Sequence, residues 1–214
     1  MTILATTVVF CAAAMSSLKA EEPPEGAVVL FDGKDLSSWT SEKGGPPKWK
    51  LADGAMEVVP GAGSIMTEKA YKDFKLHLEF KLPKPQEGGG GDGNSGVYLL
   101  RRYEIQILNS FGKKPGKSDC GAIYNFKAPD ESAAKPAGEW QSYEITFTAP
   151  KWEGWEKTES ARITVVHNGK VIHDDVVVPN KTGAGQPEAP SANRILLQDH
   201  GSKVQFRNLW ILER

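Results

Sequence analysis

The stretch FKLHLEFKL, residues 74–82, sets Phe74, Leu76, Leu78, Phe80 and Leu82 in strict alternation with Lys75, His77, Glu79 and Lys81. A β-strand sends successive side chains to opposite faces, so it sorts this pattern into one apolar and one polar side. His77, between Lys75 and Glu79, is expected to face solvent. The same period returns in SYEITFT through Tyr143, Ile145 and Phe147, and in VQFRNLWIL through Val204, Phe206 and Trp210. In RITVVHNGKVIHDDVVV, Asn168-Gly169 joins two β-branched runs, and both turn residues accept the positive φ that a two-residue hairpin demands. A second hairpin is expected around Asp53-Gly54. No stretch of ten or more residues combines helical period with caps at both ends. The pattern predicts an all-β fold, a two-sheet antiparallel jelly-roll sandwich.

The chain has 214 residues, enough for one domain with a real core. Its 26 Lys and Arg and 27 Asp and Glu are scattered, with a net charge of −1, which argues against a nucleic-acid partner. Residues 1–20, MTILATTVVFCAAAMSSLKA, form an apolar run ending in small residues before the polar EEPPEG. They read as a signal peptide with Leu18-Lys19-Ala20 before the cleavage point, leaving residues 21–214 as one exported, periplasmic or secreted domain. No membrane span is expected in that mature chain. Cys11 leaves with the leader, so Cys120 stands alone and no internal disulfide or thiolate metal site is expected. Two segments, PKPQEGGGGDGN at 83–94 and PNKTGAGQPEAPSAN at 179–193, are rich in Gly and Pro and read as surface loops.

The four histidines test for a metal site. A two-residue loop pairs His167 with Lys170 and Thr164 with His173, so pleat parity sends the rings of His167 and His173 to opposite faces. They cannot then share a metal, and no metal residues are assigned. In LLQDHG, Gln198, Asp199 and His200 cluster at a strand end, either as turn caps or as a base or ligand at the sheet edge. Trp152 and Trp155, in the loop KWEGWEK, could stack on sugar rings or pack the loop onto the sandwich.

The most informative strand is RRYEIQILNS, residues 101–110. Glu104 and Gln106 leave on one face with Cβ atoms about 6.7 Å apart, and Arg102 shares their parity. Tyr103, Ile105 and Ile107 take the core side. A row of Arg, Glu and Gln at fixed spacing supplies donors and acceptors suited to a hydroxyl-rich ligand, although an ordinary solvated face is the plainer alternative. The row resembles the Glu-x-Asp-x-x-Glu strand of β-sandwich glycosidases with two acids replaced by amides, Gln106 and Asn109.

Six segments in order, FDGKDLSSW (31–39), NSGVYL (94–99), YEIQIL (103–108), CGAIY (120–124), GEWQSYEI (138–145) and LQDHGSKVQFRN (197–208), resemble the signatures of the 3-keto-disaccharide hydrolase family. The resemblance implies a concanavalin A-like sandwich, related to lectins and laminarinase-type glycosidases, in an exported bacterial protein acting on oligosaccharides or glycosides of the 3-keto class. By position, Glu104 and Gln106 match the family's Glu-x-Gln pair, Asn94 its Asn-Ser-Gly, and Asp199, His200 and Arg207 its carboxy-terminal signature. Asn109 stands where an Asp is usual, and Leu100 where a polar residue is common.

Ordinary glycoside hydrolysis uses two carboxyl groups. This strand offers one. A 3-keto sugar needs less, because the C3 carbonyl acidifies the C2 proton; one base removes it, the enolate expels the group at C1, and water adds back. Glu104 or His200 could be the base; Arg102, Arg207 or a divalent cation could stabilise the oxyanion; Gln106, Asn94, Asp199, Trp152 and Trp155 could hold the sugar. No other cofactor is implied. A non-catalytic sugar-binding module and a partner-binding domain remain as alternatives.

Overall fold

The structure is a computed structural model that describes residues 22–85 and 93–214; residues 1–21, with the expected leader, and residues 86–92, in the segment expected to be a glycine-rich loop, lie outside the described residues. Among the described residues there is no helix. The strands in chain order are β1 (Val28–Phe31), β2 (Trp39–Ser41), β3 (Lys50–Ala52), β4 (Ala55–Glu57), β5 (Ile65–Thr67), β6 (Phe74–Lys81), β7 (Ser95–Leu99) and β8 (Tyr103–Ile107). They continue with β9 (Trp140–Thr148), β10 (Lys151–Glu153), β11 (Glu156–Glu159), β12 (Ala161–His167), β13 (Lys170–Val178), β14 (Leu196–Leu197) and β15 (Gln205–Glu213).

One sheet has eight strands in the order β13-β12-β9-β6-β15-β4-β3, with β1 also paired to β15; the other runs β2-β5-β14-β7-β8. Neighbouring strands in both sheets pair antiparallel among the described residues. The alternation in β6 and β9 fills the space between the sheets: Phe74, Leu76, Leu78, Phe80, Tyr143, Ile145 and Phe147 are buried there with Val97, Tyr103, Ile105 and Ile107 from β7 and β8. Tyr103 meets Phe147 across the gap with ring centres 5.4 Å apart. Each such large apolar side chain contributes about 1.5–3 kcal/mol by leaving water.

Both expected hairpins form, at Asp53-Gly54 and at Asn168-Gly169, with positive φ at all four residues. Beyond the second turn the expected parity fails. His167 does pair with Lys170, but His173 lies opposite Val165 rather than Thr164, because the register slips between Val165 and Val166. One extra residue in a strand reverses which face every later side chain takes. His167 and His173 therefore both turn inward and are buried. His167 Nε2 lies 3.0 Å from Gln141 Oε1, and His173 Nε2 lies 2.9 Å from the Gly121 carbonyl.

A second slip falls in β15 between Arg207 and Trp210, with Asn208 at φ 50°. Phe206, Leu209 and Ile211 enter the core, while Trp210 turns to the outer face, against the expected row of Val204, Phe206 and Trp210. There it stacks on His77 at 5.1 Å between ring centres. His77 is consequently buried rather than solvent-facing.

Trp152 and Trp155 also lie in a hairpin, not a loop: β10 pairs with β11 around Gly154. Lys157 ties this hairpin to the 179–193 segment through the Glu188 carboxylate.

Candidate functional site

β7 and β8 are joined by a tight turn in which the Arg102 N–H donates to the Leu99 carbonyl at 2.9 Å. The turn's central residues, Leu100 and Arg101, have φ of 52° and 57°. Asn and Gly are the usual occupants of such positions, and each other residue type costs about 1 kcal/mol or more there. Leu100 offsets this by burying its side chain in the core. The register that follows sets Tyr98 opposite Glu104 and Gly96 opposite Gln106.

The free edge of β8 is covered by the chain around Cys120–Tyr124. Gln106 N–H donates to the Ala122 carbonyl, Gly121 N–H to the Gln106 carbonyl and Tyr124 N–H to the Glu104 carbonyl, at 2.9, 2.9 and 3.0 Å. An exposed edge is thereby paired, and the strand is held from both sides. Cys120, a free thiol, is buried in this lining with Sγ 3.1 Å from the Tyr143 hydroxyl.

Arg102, Glu104 and Gln106 do share one face, but it is no solvated surface: each is only 3% exposed. The Glu104 carboxyl lies in a slot between two glycines. A Cβ on Gly96 would come within 2.5 Å of Oε1, and one on Gly183 would collide with Oε2. Glu104 N–H donates to Thr182 Oγ1 at 2.8 Å, which fastens the 179–193 segment over the strand. Tyr98 donates its hydroxyl to Glu104 Oε2 at 2.7 Å and accepts from Gln198 Nε2 at 3.4 Å. The Gln106 amide reaches Asn94 Oδ1 at 3.3 Å in one orientation. In the flipped orientation, which satisfies both its ends, it donates to the Ser95 carbonyl at 3.1 Å and to Glu104 Oε1 at 3.3 Å.

Burial raises the Glu104 carboxyl to about 7, outweighing the Tyr98 hydrogen bond that favours its charged form. The Tyr98 hydroxyl is pushed well above its ordinary range by burial and by the neighbouring Glu104. A carboxyl poised near neutrality beside a hydroxyl can accept or return a proton at physiological pH.

Above this pair is a cleft of about 120 Å³ on the outer face of the smaller sheet, with Tyr98, Gln198, Gln186, Ser64, Arg101 and Glu42 among its lining residues. Arg101 Nη2 donates to Glu42 Oε1 at 2.7 Å across it. Met66, Tyr98 and Leu196 form a small apolar cluster on the same face. Tyr98 is the side chain common to the cleft and the Glu104 slot.

The other expected site residues divide into those near this centre and those elsewhere. Asn94 is beside Gln106, and its N–H donates to Ser202 Oγ at 3.2 Å. Asp199 is a turn cap: its carboxylate accepts from Gly63 N–H at 2.9 Å and Gly201 N–H at 3.0 Å. His200 is exposed on that turn and makes no hydrogen bond or ion pair among the described residues, so nothing couples it to Glu104. Arg102 points at backbone instead of a ligand, donating to the carbonyls of Pro187 at 3.2 Å and Ser191 at 3.1 Å.

Arg207 cannot join Glu104. It leaves the outer face of the larger sheet, where it pairs with Glu79 Oε2 at 2.7 Å and covers the Trp140 ring at 4.1 Å, with the whole core between the two residues. Trp155 is 82% exposed at its hairpin tip. Among the described residues no group of three or more His, Cys, Asp and Glu side chains is placed to hold a metal ion.

Tyr98, Arg101 and Glu42 are cleft residues that sequence patterning does not single out, whereas Gln198 belongs to the strand-end cluster already noted in LLQDHG. Tyr98 was accessible in principle through the hairpin register, but Leu-Arg at the turn hides the usual turn signal.

No curated protein matches the chain in sequence. Three provisionally assigned glycosyl hydrolases from Parabacteroides distasonis ATCC 8503 are similar to it in structure. The first has 31% identity and a TM-score of 0.80 over 99% of this chain and 100% of that one. The second has 25% identity and a TM-score of 0.66 over 89% and 94%, and the third 26% and 0.61 over 88% and 99%. The model of the 3-keto-alpha-glucoside-1,2-lyase-like domain matches residues 26–212, nearly the whole described chain, and the protein belongs to that family.

Proposed function

We propose that the protein cleaves 3-keto-glycosides by removing the C2 proton, expelling the group at C1 and adding water back. The observation that carries this reading is the Glu104 carboxyl, buried in its slot with its pKa raised to about 7 and joined to the cleft by the Tyr98 hydroxyl. Tyr98 Oη takes the C2 proton while its own proton passes to Glu104 Oε2, so the net transfer is from carbon to carboxylate. The C2–H pair forms the enolate, the enolate collapses, and the C1–O bond breaks. Glu104 then returns its proton through Tyr98 to the departing oxygen, and water adding across C1 and C2 restores the 3-keto sugar. Gln106 holds Glu104 in place, while Gln198 orients Tyr98.

Incubation with a 3-keto-glycoside and with its unoxidised parent tests the reading. Aglycone release from the keto compound alone is expected; release from neither, or equally from both, would overturn it. A non-catalytic sugar-binding module is the second reading. The burial of Glu104 beneath the cleft favours it, since a binder needs only the donors, acceptors and aromatic ring that Arg101, Gln186, Gln198 and Tyr98 present there. Saturable binding of the unoxidised glycoside with no turnover of either compound would decide for it.

We further propose that residues 1–20 direct export and are removed. Mass spectrometry of the mature protein should find an amino terminus near Glu21.

A further inference from the structure

We infer that Arg101 is the catalytic residue that stabilises the enolate oxygen at C3, an assignment that rests on the elimination route above. That route needs a cation or strong donor where negative charge develops. Arg102 is buried, aims Nε and Nη1 at the Pro187 and Ser191 carbonyls and does not line the cleft, and Arg207 lies on the far side of the core with Glu79. Arg101 is the arginine that lines the cleft with Tyr98.

Its guanidinium is both held and available. Glu42 takes Nη2, which fixes the plane, and Nε is buried with no hydrogen-bond partner. A guanidinium carries five N–H donors, so most remain for a ligand oxygen. Nε is sealed from the cleft, so a ligand oxygen would meet Nη1 and the remaining Nη2 hydrogen, on a side chain that is 20% exposed.

The backbone points the same way. Arg101 sits at φ 57° in a turn where glycine would be unstrained. Leu100, its strained neighbour, is compensated by core burial, whereas the Arg101 side chain leaves the core for the cleft. Residues kept in unfavourable backbone regions gather at functional sites.

As Tyr98 takes the C2 proton, the C2–H electron pair becomes the C2=C3 bond and the carbonyl π pair moves to the C3 oxygen. Arg101 donates to that oxygen. When the pair returns, the C1–O bond breaks and the charge passes to the leaving oxygen, which receives the proton from Glu104. Glu42 is a positioning residue.

Arg101→Gly is the decisive variant, because glycine accepts the turn geometry and the fold should keep its melting temperature. Aglycone release should fall about 100- to 1,000-fold in kcat, with a smaller change in KM. Arg101→Lys should recover part of the loss, since the charge returns without the planar fork. A folded Arg101→Gly variant within threefold of wild-type kcat would overturn the assignment and leave the elimination route standing. A wild-type protein inert toward 3-keto-glycosides would overturn both.

Discussion

Tyr98 and Glu104 face each other across adjacent strands, and the tyrosine hydroxyl donates to Glu104 Oε2 at 2.7 Å. One member of the pair lines the cleft, and the other is sealed beneath it. Tyr98→Phe keeps the ring and removes the hydroxyl that hydrogen-bonds to Glu104. Turnover of a 3-keto-glycoside should fall about 10²- to 10⁴-fold. The Tyr98 hydrogen bond lowers the Glu104 pKa, so its loss should raise it further. A carboxyl titration followed by NMR should show that upward movement; no movement would separate the two groups.

Glu104→Gln should abolish turnover yet stabilise the fold at high pH. Burial lifts the carboxyl from its ordinary 4.5 to about 7 in the folded protein. A group with a raised folded pKa favours the folded state below its unfolded pKa, and that contribution is lost as pH rises through the folded value. Between pH 4.5 and 7 the wild type should therefore lose stability on the order of 3 kcal/mol from this group. Denaturant titrations across this window should show the loss in wild type and its absence in Glu104→Gln.

The buried histidines work in the opposite direction. Burial lowers His167 to about 3 and His173 to about 4 from an ordinary 6.5. The unfolded chain takes up their protons first, so their contribution is complete above pH 6.5 and is lost as pH falls toward 3–4. At pH 5 each ring should lower stability by about 2 kcal/mol relative to pH 7. His173→Gln should flatten that slope, as measured by melting temperature between pH 7 and 4.5.

Arg102→Ala should loosen the segment that roofs Glu104. Two charge-assisted hydrogen bonds to the Pro187 and Ser191 carbonyls disappear, at about 1.5–3 kcal/mol each before relaxation. Limited proteolysis should cut within residues 179–193 faster than in wild type. Unchanged cleavage would show that the Thr182 and Gln186 N–H groups, which donate to the Arg102 and Arg101 carbonyls, suffice.

Parity along β6 and β9 was legible because both strands run without a bulge, so every second residue meets the core as the alternation implies. The same reading failed for His173 and Trp210. A bulge is defined by what the partner strand leaves unpaired, and no local pattern in β13 or β15 records it. The polar row on β8 was legible as a row but not as a buried one, because its roof comes from residues 179–193, far along the chain.

The sequence by itself determined the class of fold, the hairpin turns at Asp53-Gly54 and Asn168-Gly169, the family, and the shared face of Arg102, Glu104 and Gln106. These depend on strand period, turn chemistry and ordered motifs, all written locally. Only the tertiary structure decided that Arg102 clamps a loop, that Arg207 belongs to the opposite face, that Tyr98 connects Glu104 to the cleft, and that Arg101 lines it. Strand pairing and sheet packing bring together residues as distant as Glu42, Tyr98 and Gln198. The chemistry of Glu104 follows from that convergence, because burial by remote segments lifts its pKa, and no neighbour in the sequence carries that information.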